Sequence, residues 1–387
     1  MAFDINRERQ LARNAYTSGQ LALAISKQRA LISEQASAYN EVLVSDYRQL
    51  AFFLIAANRN DEAAATLLPV IETHPDNADL LGIIGLVYTN LKQHDRAITF
   101  LKRALTADAQ NFMAADQLTR CYLAKREVGK AKQFGELSLK IKDEIYSSSS
   151  HALETSLEAK LPSAKGGRNV IAFSLWGNNP RYLSGALRNV EMAEILYPDW
   201  QCRFYTNDTV PEHILRKLGA RGVDVRKMTI AKRPFDGLFW RFHAVSDTKI
   251  DRFLIRDCDS VINVKERVAV DEWLASGKHF HVMRDYYTHT DLVMAGMWGG
   301  VTGVIKNVEK VISDYVESHI QSRVMDQSFL NECLWSTIKE SVLVHDSCFE
   351  TKYSSSFPPY CHLPPGRHIG QDEFTYLKAQ AALAVAS

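Results

Sequence analysis

Little charge of one sign is left over in this 387-residue sequence: 46 Lys and Arg stand against 45 Asp and Glu, a formal net charge of +1. Without a basic surplus, neither a nucleic-acid partner nor an anionic membrane surface has an electrostatic footprint. Cysteine is sparse. Cys121, Cys202, Cys258, Cys333, Cys348 and Cys361 lie far apart, with no C-x-x-C pair. That argues against structural zinc and a disulfide framework, and suits a reducing compartment. No run of about 18 apolar residues exists to span a bilayer. The opening MAFDINRERQLARNAY is charged and lacks the apolar stretch of a secretory signal. The expectation is a cytoplasmic protein without a membrane span. The rest is ordinary for a globular chain, at 46% hydrophobic and 24% charged residues, and long enough for two or three domains.

An internal period organises the first third. Mark Leu81, Ile84, Gly85, Tyr88, Ala97, Leu101 and Ala104, then step back 34 residues to Tyr47, Leu50, Ala51, Leu54, Ala63, Leu67 and Val70. A step forward of 34 lands on Ala115, Leu118, Thr119, Tyr122, Ala131, Gly135 and Ser138. Small residues recur where helices must touch, large apolar ones where they interlock. The pattern resembles the tetratricopeptide repeat (TPR) over three units, residues 44–145, with 8–40 as a further helical pair out of register. The resemblance implies an all-helical solenoid over 1–145, whose concave face holds a protein partner or a second copy of the chain. A plain spacer fits as well.

A serine run, then Pro and Gly-Gly, mark 146–168 as a linker. Beyond it the period changes. NVIAFSLWG, WQCRFYTND, VDVRKM and RFLIRDCDSVI read as strands, with helices RYLSGALRNVEMAEILYP, VPEHILRKLGARG and GLFWRFHAVSD between them. Such alternation predicts an α/β domain on a mainly parallel sheet over 169–375, with a flexible tail at 376–387. Ligands of such sheets lie at the carboxyl ends of the strands, where Asn178, Asn207-Asp208, Asp257 and Asp259 fall.

On an extended strand Asp257 and Asp259 share one face, with Cys258 on the other as a packed thiol. Two adjacent carboxylates repel unless a proton or cation lies between them. A metal clamp and a solvated strand-to-loop turn both account for the pair. Further along come Arg284-Asp285, His289 and Asp291, a glycine-rich turn from Gly296 to Gly303, Asp326 opening a helix, His345-Asp346 ending a strand, and a late irregular stretch with His362, Arg367 and His368.

In this order the elements resemble those of a metal-dependent GT-A-type glycosyltransferase over about 168–370. The stretches NNPRYLSGALRNVEMAEILYPDW, FWRF, RDCDS, DEWLASGK and GMWG are similar to a group of bacterial and viral glycosyltransferase-like proteins. The resemblance implies that Asp257, Asp259 and His345 hold Mn2+ or Mg2+ against a nucleotide-sugar diphosphate, with a UDP-sugar favoured. It also implies donor contacts from Phe173, Ser174, Trp176, Tyr182, Arg241, Arg256, Asp257, Gly296, Trp298 and Gly299. Asp326 becomes the acceptor-side carboxylate, acting on a hydroxyl of a glycan or protein, although an Asp in a first turn also serves as a cap. Trp298 fits a sugar platform and a core tryptophan equally.

Two other readings stand beside this one. The segment also resembles the nucleophile motif of haloacid-dehalogenase-like (HAD-like) phosphatases, but about 90 residues of α/β sequence precede it and no Gly-Asp-x-x-x-Asp follows. A non-catalytic TPR adaptor with a lapsed nucleotide-sugar-binding domain is the second. In domain order the chain also resembles protein O-linked N-acetylglucosamine transferases, whose metal-independent catalytic fold has no place for the Asp pair.

Overall fold

Helix pairs occupy the first part of the chain: α1 (Ile5–Thr17) with α2 (Leu21–Tyr39), α3 (Val44–Ala56) with α4 (Asn60–Thr73), α5 (Ala78–Asn90) with α6 (His94–Ala107), and α7 (Phe112–Ala124) with α8 (Val128–Tyr146). The computed structural model describes residues 4–39, 42–148, 153–158, 161–163, 167–229, 235–319 and 322–386. It divides into two compact units, Met1–Ile141 and Lys142–Ser387.

In the first unit each repeat turns in the same way. Asn58, Lys92 and Arg126 take φ of 58°, 58° and 61°, three left-handed residues at 34-residue steps. After each, the next N–H reaches back over the turn: Arg59 to Leu54 O at 2.8 Å, Gln93 to Tyr88 O and Glu127 to Tyr122 O at 2.9 Å. These bonds close carbonyls that a helix end leaves open, against a cost of about 1–2 kcal/mol for each non-glycine in that conformation. Gly19, at φ 77°, makes the same turn between α1 and α2. It precedes Asn58 by five residues more than the step, which is why the first pair is out of register. Buried Asp46 of α3 fixes that pair, accepting from Arg9, Gln28 and Gln35. Leu101 fills the space a Cβ on Gly85 would need. The expected helical repeat is present.

The second unit is a mixed, mostly parallel sheet with helices. Its elements are β1 (Asn169–Leu175), α9 (Pro180–Leu196), β2 (Trp200–Thr206), α10 (Glu212–Gly219), β3 (Asp224–Lys227), a 3-10 helix (Asp236–Ala244), β4 (Arg252–Arg256), α11 (Val264–Ala275), β5 (Phe280–Arg284) and β6 (Met297–Val301). Then follow α12 (Val308–Ser318), α13 (Met325–Phe329), a π turn (Leu330–Leu334), α14 (Trp335–Ile338), β7 (Val342–Asp346), β8 (Ser354–Ser355) and α15 (Glu373–Ala386). The strand order is β3-β2-β1-β4-β6-β5-β7-β8, and β6 runs antiparallel to both β4 and β5. The chain winds outward from β1 through β2 to β3, then returns to lay β4 on the other side of β1. Strand order reverses at β1, and at such a switch point open α/β sheets bind ligands in the crevice outside the carboxyl ends of the strands, here those of β1 and β4.

Several expectations change. The strand carrying the aspartates ends at Arg256, so Asp257 and Asp259 sit on the turn after it. The glycine-rich stretch is mostly strand β6, not a loop. GLFWRFHAVSD forms a 3-10 helix. Residues expected as a tail continue α15. Part of the expected linker is tied down: Ser156 N bonds Val304 O at 2.9 Å, Lys306 N bonds Glu154 O at 2.9 Å, and Arg252 bonds the carbonyls of Pro162 and Ser163. Residues 149–152, 159–160 and 164–166 of the linker, which include half of the serine run and Gly166, lie outside the described residues. Among the described residues no helix is long and apolar enough to cross a membrane.

Candidate functional site

The crevice is built around one arginine. Arg241, on the 3-10 helix, is 4% exposed, and its backbone N–H donates to Ser174 Oγ at the end of β1, 2.9 Å away. Its Nη1 donates to the Arg256 carbonyl at 3.0 Å and to Asp257 Oδ1, while Nη2 donates to Asp326 Oδ2 at 2.9 Å. Nε is buried and has no acceptor among the described residues. One planar fork therefore fixes two carboxylates from different elements, a task lysine's point charge does not perform.

Asp259 lies two residues beyond Asp257 and is held from the other side. Arg181, in the first turn of α9, donates Nε to Asp259 Oδ2 at 2.8 Å, with Nη2 on the same oxygen. The turn itself hangs from buried Asn189, whose Nδ2 donates to the carbonyls of Gly185, Cys258 and Ser260 at 3.0, 3.2 and 3.1 Å, and whose Oδ1 accepts from Ile262 N. Gly185 lets α9 lie against this turn, since a Cβ there would overlap the Cys258 carbonyl. Cys258 is buried and donates to Ser174 O at 3.2 Å. Across the strand pair, Arg256 is in register with Met297, and a Cβ on Gly296 would collide with the Asp257 carboxylate.

A C-terminal segment closes this edge. Ile369 N donates to Asp285 Oδ2, Gly370 packs on Met297, Asp372 bridges Ser260, and Glu373 N donates to Asp259 O at 2.9 Å.

The electrostatics are lopsided. Asp257, Asp259, Asp326 and Asp372 face Arg181 and Arg241, so negative charge is in excess. Burial raises the Asp326 carboxyl to about 6, with Arg241 opposing and the Asp257 charge adding to the rise. Asp259 is also raised, by burial first and then by Asp257, against Arg181. Burial and then Asp259 push the Tyr182 hydroxyl up as well. Asp326 does not cap its short helix: the N-cap position is Val324, with no side-chain bond, and Asp326 accepts from its neighbour Gln327's N–H and from Arg241.

The structure thus brings Ser174, Tyr182, Arg241, Asp257, Asp259, Gly296 and Asp326 together. Trp176 stands close by, half-buried and edge-on to Trp240 at 5.8 Å. Others it does not bring. His345 lies on β7, three strands from β4, about 14 Å at ordinary strand spacing. Its Nδ1 pairs with His281 Nε2 at 2.8 Å and its Nε2 with Glu272 at 2.7 Å, so it does not join the aspartates as a ligand. Arg256 is buried against Glu266 at 2.6 Å, turned away from any diphosphate. Trp298 is a core residue between Phe242 and Phe253. Gly299 pairs inside the sheet with Leu254 and His281, and Phe173 stacks on Phe204 at 4.6 Å in the core. Arg181, Asn189 and Asp372 were not singled out from the sequence. Arg181 had a signal, because Asn179-Pro180 is a helix start and places the next residue at the end of β1.

For a divalent cation, Asp257 and Asp259 offer hard oxygens whose mutual repulsion a cation relieves. No group of three His, Cys, Asp or Glu that could hold a metal exists among the described residues. Two carboxylates completed by substrate phosphate and water are nonetheless an ordinary Mg2+ set, so the residues fit an ion carried in with a diphosphate.

No family model matches the sequence, and no curated protein matches it. Among solved structures, the chain is similar to an O-GlcNAc transferase mutant from Thermobaculum terrenum at 16% identity and TM-score 0.42, over 65% of this chain and 45% of that one. It is similar to MamA at 17% identity and TM-score 0.33, over 37% of this chain and 80% of that one. TTC0263, a thermophilic TPR protein of Thermus thermophilus, matches at 16% identity and TM-score 0.33, over 37% of this chain and 78% of that one. These likenesses are partial, and the chemistry rests on the crevice itself.

Proposed function

We propose that the second unit is a glycosyltransferase that moves a sugar from a nucleoside-diphosphate sugar, with UDP favoured, to a hydroxyl of a glycan or protein. The observation that carries this reading is the Arg241 fork, which joins Asp257 and Asp326 in the β1–β4 crevice beside Asp259. Asp257 and Asp259 would hold Mn2+ or Mg2+ there; when bound, the ion supplies Lewis-acid neutralisation of the leaving diphosphate. Arg241 orients Asp257 for that task and adds positive charge at the phosphates' end of the crevice. Asp326, with its carboxyl at about 6, is largely ionised at pH 7. It is basic enough there to accept the acceptor hydroxyl's proton as the glycosidic bond forms. Trp176 and Tyr182 flank the opening, as stacking surfaces for base or sugar. The helical repeats, on this reading, hold the protein acceptor or a partner.

A panel of nucleotide sugars, tested by thermal shift with and without Mn2+, decides the donor, because a bound ligand raises apparent stability by mass action. The reading expects a shift for one nucleotide class that EDTA abolishes. Cleavage of an aryl phosphate with no nucleotide-sugar shift would replace it with the phosphatase. Nucleotide binding without turnover on any acceptor would favour the adaptor.

A further inference from the structure

The two arginines of the crevice are mounted differently. Arg241 is 5% exposed in its side chain and bound to both carboxylates and a carbonyl. Arg181 is 37% exposed and touches Asp259, with Nε also 3.3 Å from Asp372. It stands in the first turn of the 17-residue helix α9, where the macrodipole disfavours a cation. Asp259, by contrast, is 13% exposed in its side chain and is crowded by Asp257. The more exposed of these two arginines thus sits in a poor place for the helix and a good place for the carboxylate.

Resting on the donor-site reading above, we propose that Arg181 is an exchangeable counter-cation. In the resting protein it neutralises Asp259. When a divalent ion arrives on Asp257 and Asp259, the guanidinium gives up Asp259, keeps Asp372, and turns to the donor diphosphate at the N-terminus of α9. The exchange makes ion and nucleotide binding cooperative: the ion alone must displace Arg181, whereas ion with diphosphate gives Arg181 a new anionic partner. No bond is made or broken other than these ionic contacts.

The test is calorimetry of the full chain with Mn2+ alone, then with UDP at saturating Mn2+, in the wild type, Arg181→Gln and Arg188→Gln. Arg188 lies on the same helix and pairs with Glu373 at 3.4 Å, so it controls for lost charge without the Asp259 contact. Arg181→Gln is expected to bind Mn2+ alone about tenfold more tightly than the wild type, and UDP about tenfold more weakly. Arg188→Gln should change either constant by less than about twofold. Arg181→Lys, which keeps the charge but loses the paired nitrogens, should fall between and serves if Arg181→Gln folds poorly. Unchanged or weaker Mn2+ binding in Arg181→Gln, or equal tightening in Arg188→Gln, overturns the exchange. The donor-site reading fails separately, if UDP binds neither wild type nor variants at saturating Mn2+; the Mn2+-only comparison still judges Arg181.

Discussion

Two ends of one sheet carry the same kinds of residues to opposite effect. At the end of β7 and β5, every strong charge is answered. Arg284 donates Nε to Asp346 Oδ2 at 2.6 Å, with side chains 2% and 0% exposed, and Asp346 Oδ1 accepts from Cys348 N and Phe349 N. Asp285 is held by Lys265, Ser347 and Ile369 N, and Asp291 by Lys142 and Asn331. Burial holds the His281 and His345 imidazoles below their ordinary values. At the end of β1 and β4, carboxylates outnumber cations, two carboxyls are raised, and an arginine nitrogen is left over. A closed account of charge is what a core needs; an open one is what a ligand site needs.

The difference can be broken by mutation at either end. Asp326→Asn should cut transfer by about 10²–10⁴-fold while Mn2+-dependent UDP binding, read by calorimetry, stays at the wild-type value. A wild-type rate in that variant would leave Asp326 no catalytic part. Arg284→Ala leaves Asp346 buried and uncompensated, and should lower unfolding stability in urea by about 3–5 kcal/mol. Its folded fraction should still bind UDP. If stability holds and UDP binding vanishes, the β7 end belongs to the donor site after all.

Acidity gives a smaller, graded effect. A base must be ionised to act, and Asp326 ionises at about 6. Transfer should therefore be nearly level above pH 7 and fall about fivefold between pH 6 and pH 5 as Asp326 takes a proton. Stability should move the other way. A carboxyl whose folded value lies above its unfolded one binds more protons in the native state, so Asp326's contribution favours folding as pH drops from about 6 towards 4. A rate flat down to pH 4.5 would remove Asp326 as the base.

Much of this contrast was legible in the sequence, unevenly. The 34-residue period exposed the repeats because each unit buries the same positions, and the exposed left-handed turn residues Asn58, Lys92 and Arg126 keep the same step. Strand ends pointed to Asp257 and Asp259, a helix start to Asp326, and FWRF to Arg241. The reversed strand β6 was hidden, because MWGGV has the composition of a turn. Its glycines serve packing instead: the Phe253 and Phe280 rings occupy the space a Cβ on Gly300 would need. His345 misled for a related reason. Its place in the order of elements suggested a ligand, but lateral position in a sheet follows strand order, and β5 and β6 lie between it and the aspartates. Asn189, mid-helix, gives no sign in a single sequence that its amide carries the aspartate turn.

One calorimetric comparison tests the account most directly: UDP titrated into Asp259→Asn and His345→Ala, each across a series of Mn2+ concentrations. The resemblance implied Asp259 as part of the metal-holding pair and His345 as a third ligand, and the structure separates them. Asp259→Asn should need at least about tenfold more Mn2+ for the same UDP affinity. His345→Ala should follow the wild-type Mn2+ dependence, its loss appearing only as about 1–3 kcal/mol of stability from unpaired His281 and lost packing. The reverse pattern, with His345→Ala demanding the extra Mn2+ and Asp259→Asn behaving as wild type, would contradict the donor site at the ends of β1 and β4.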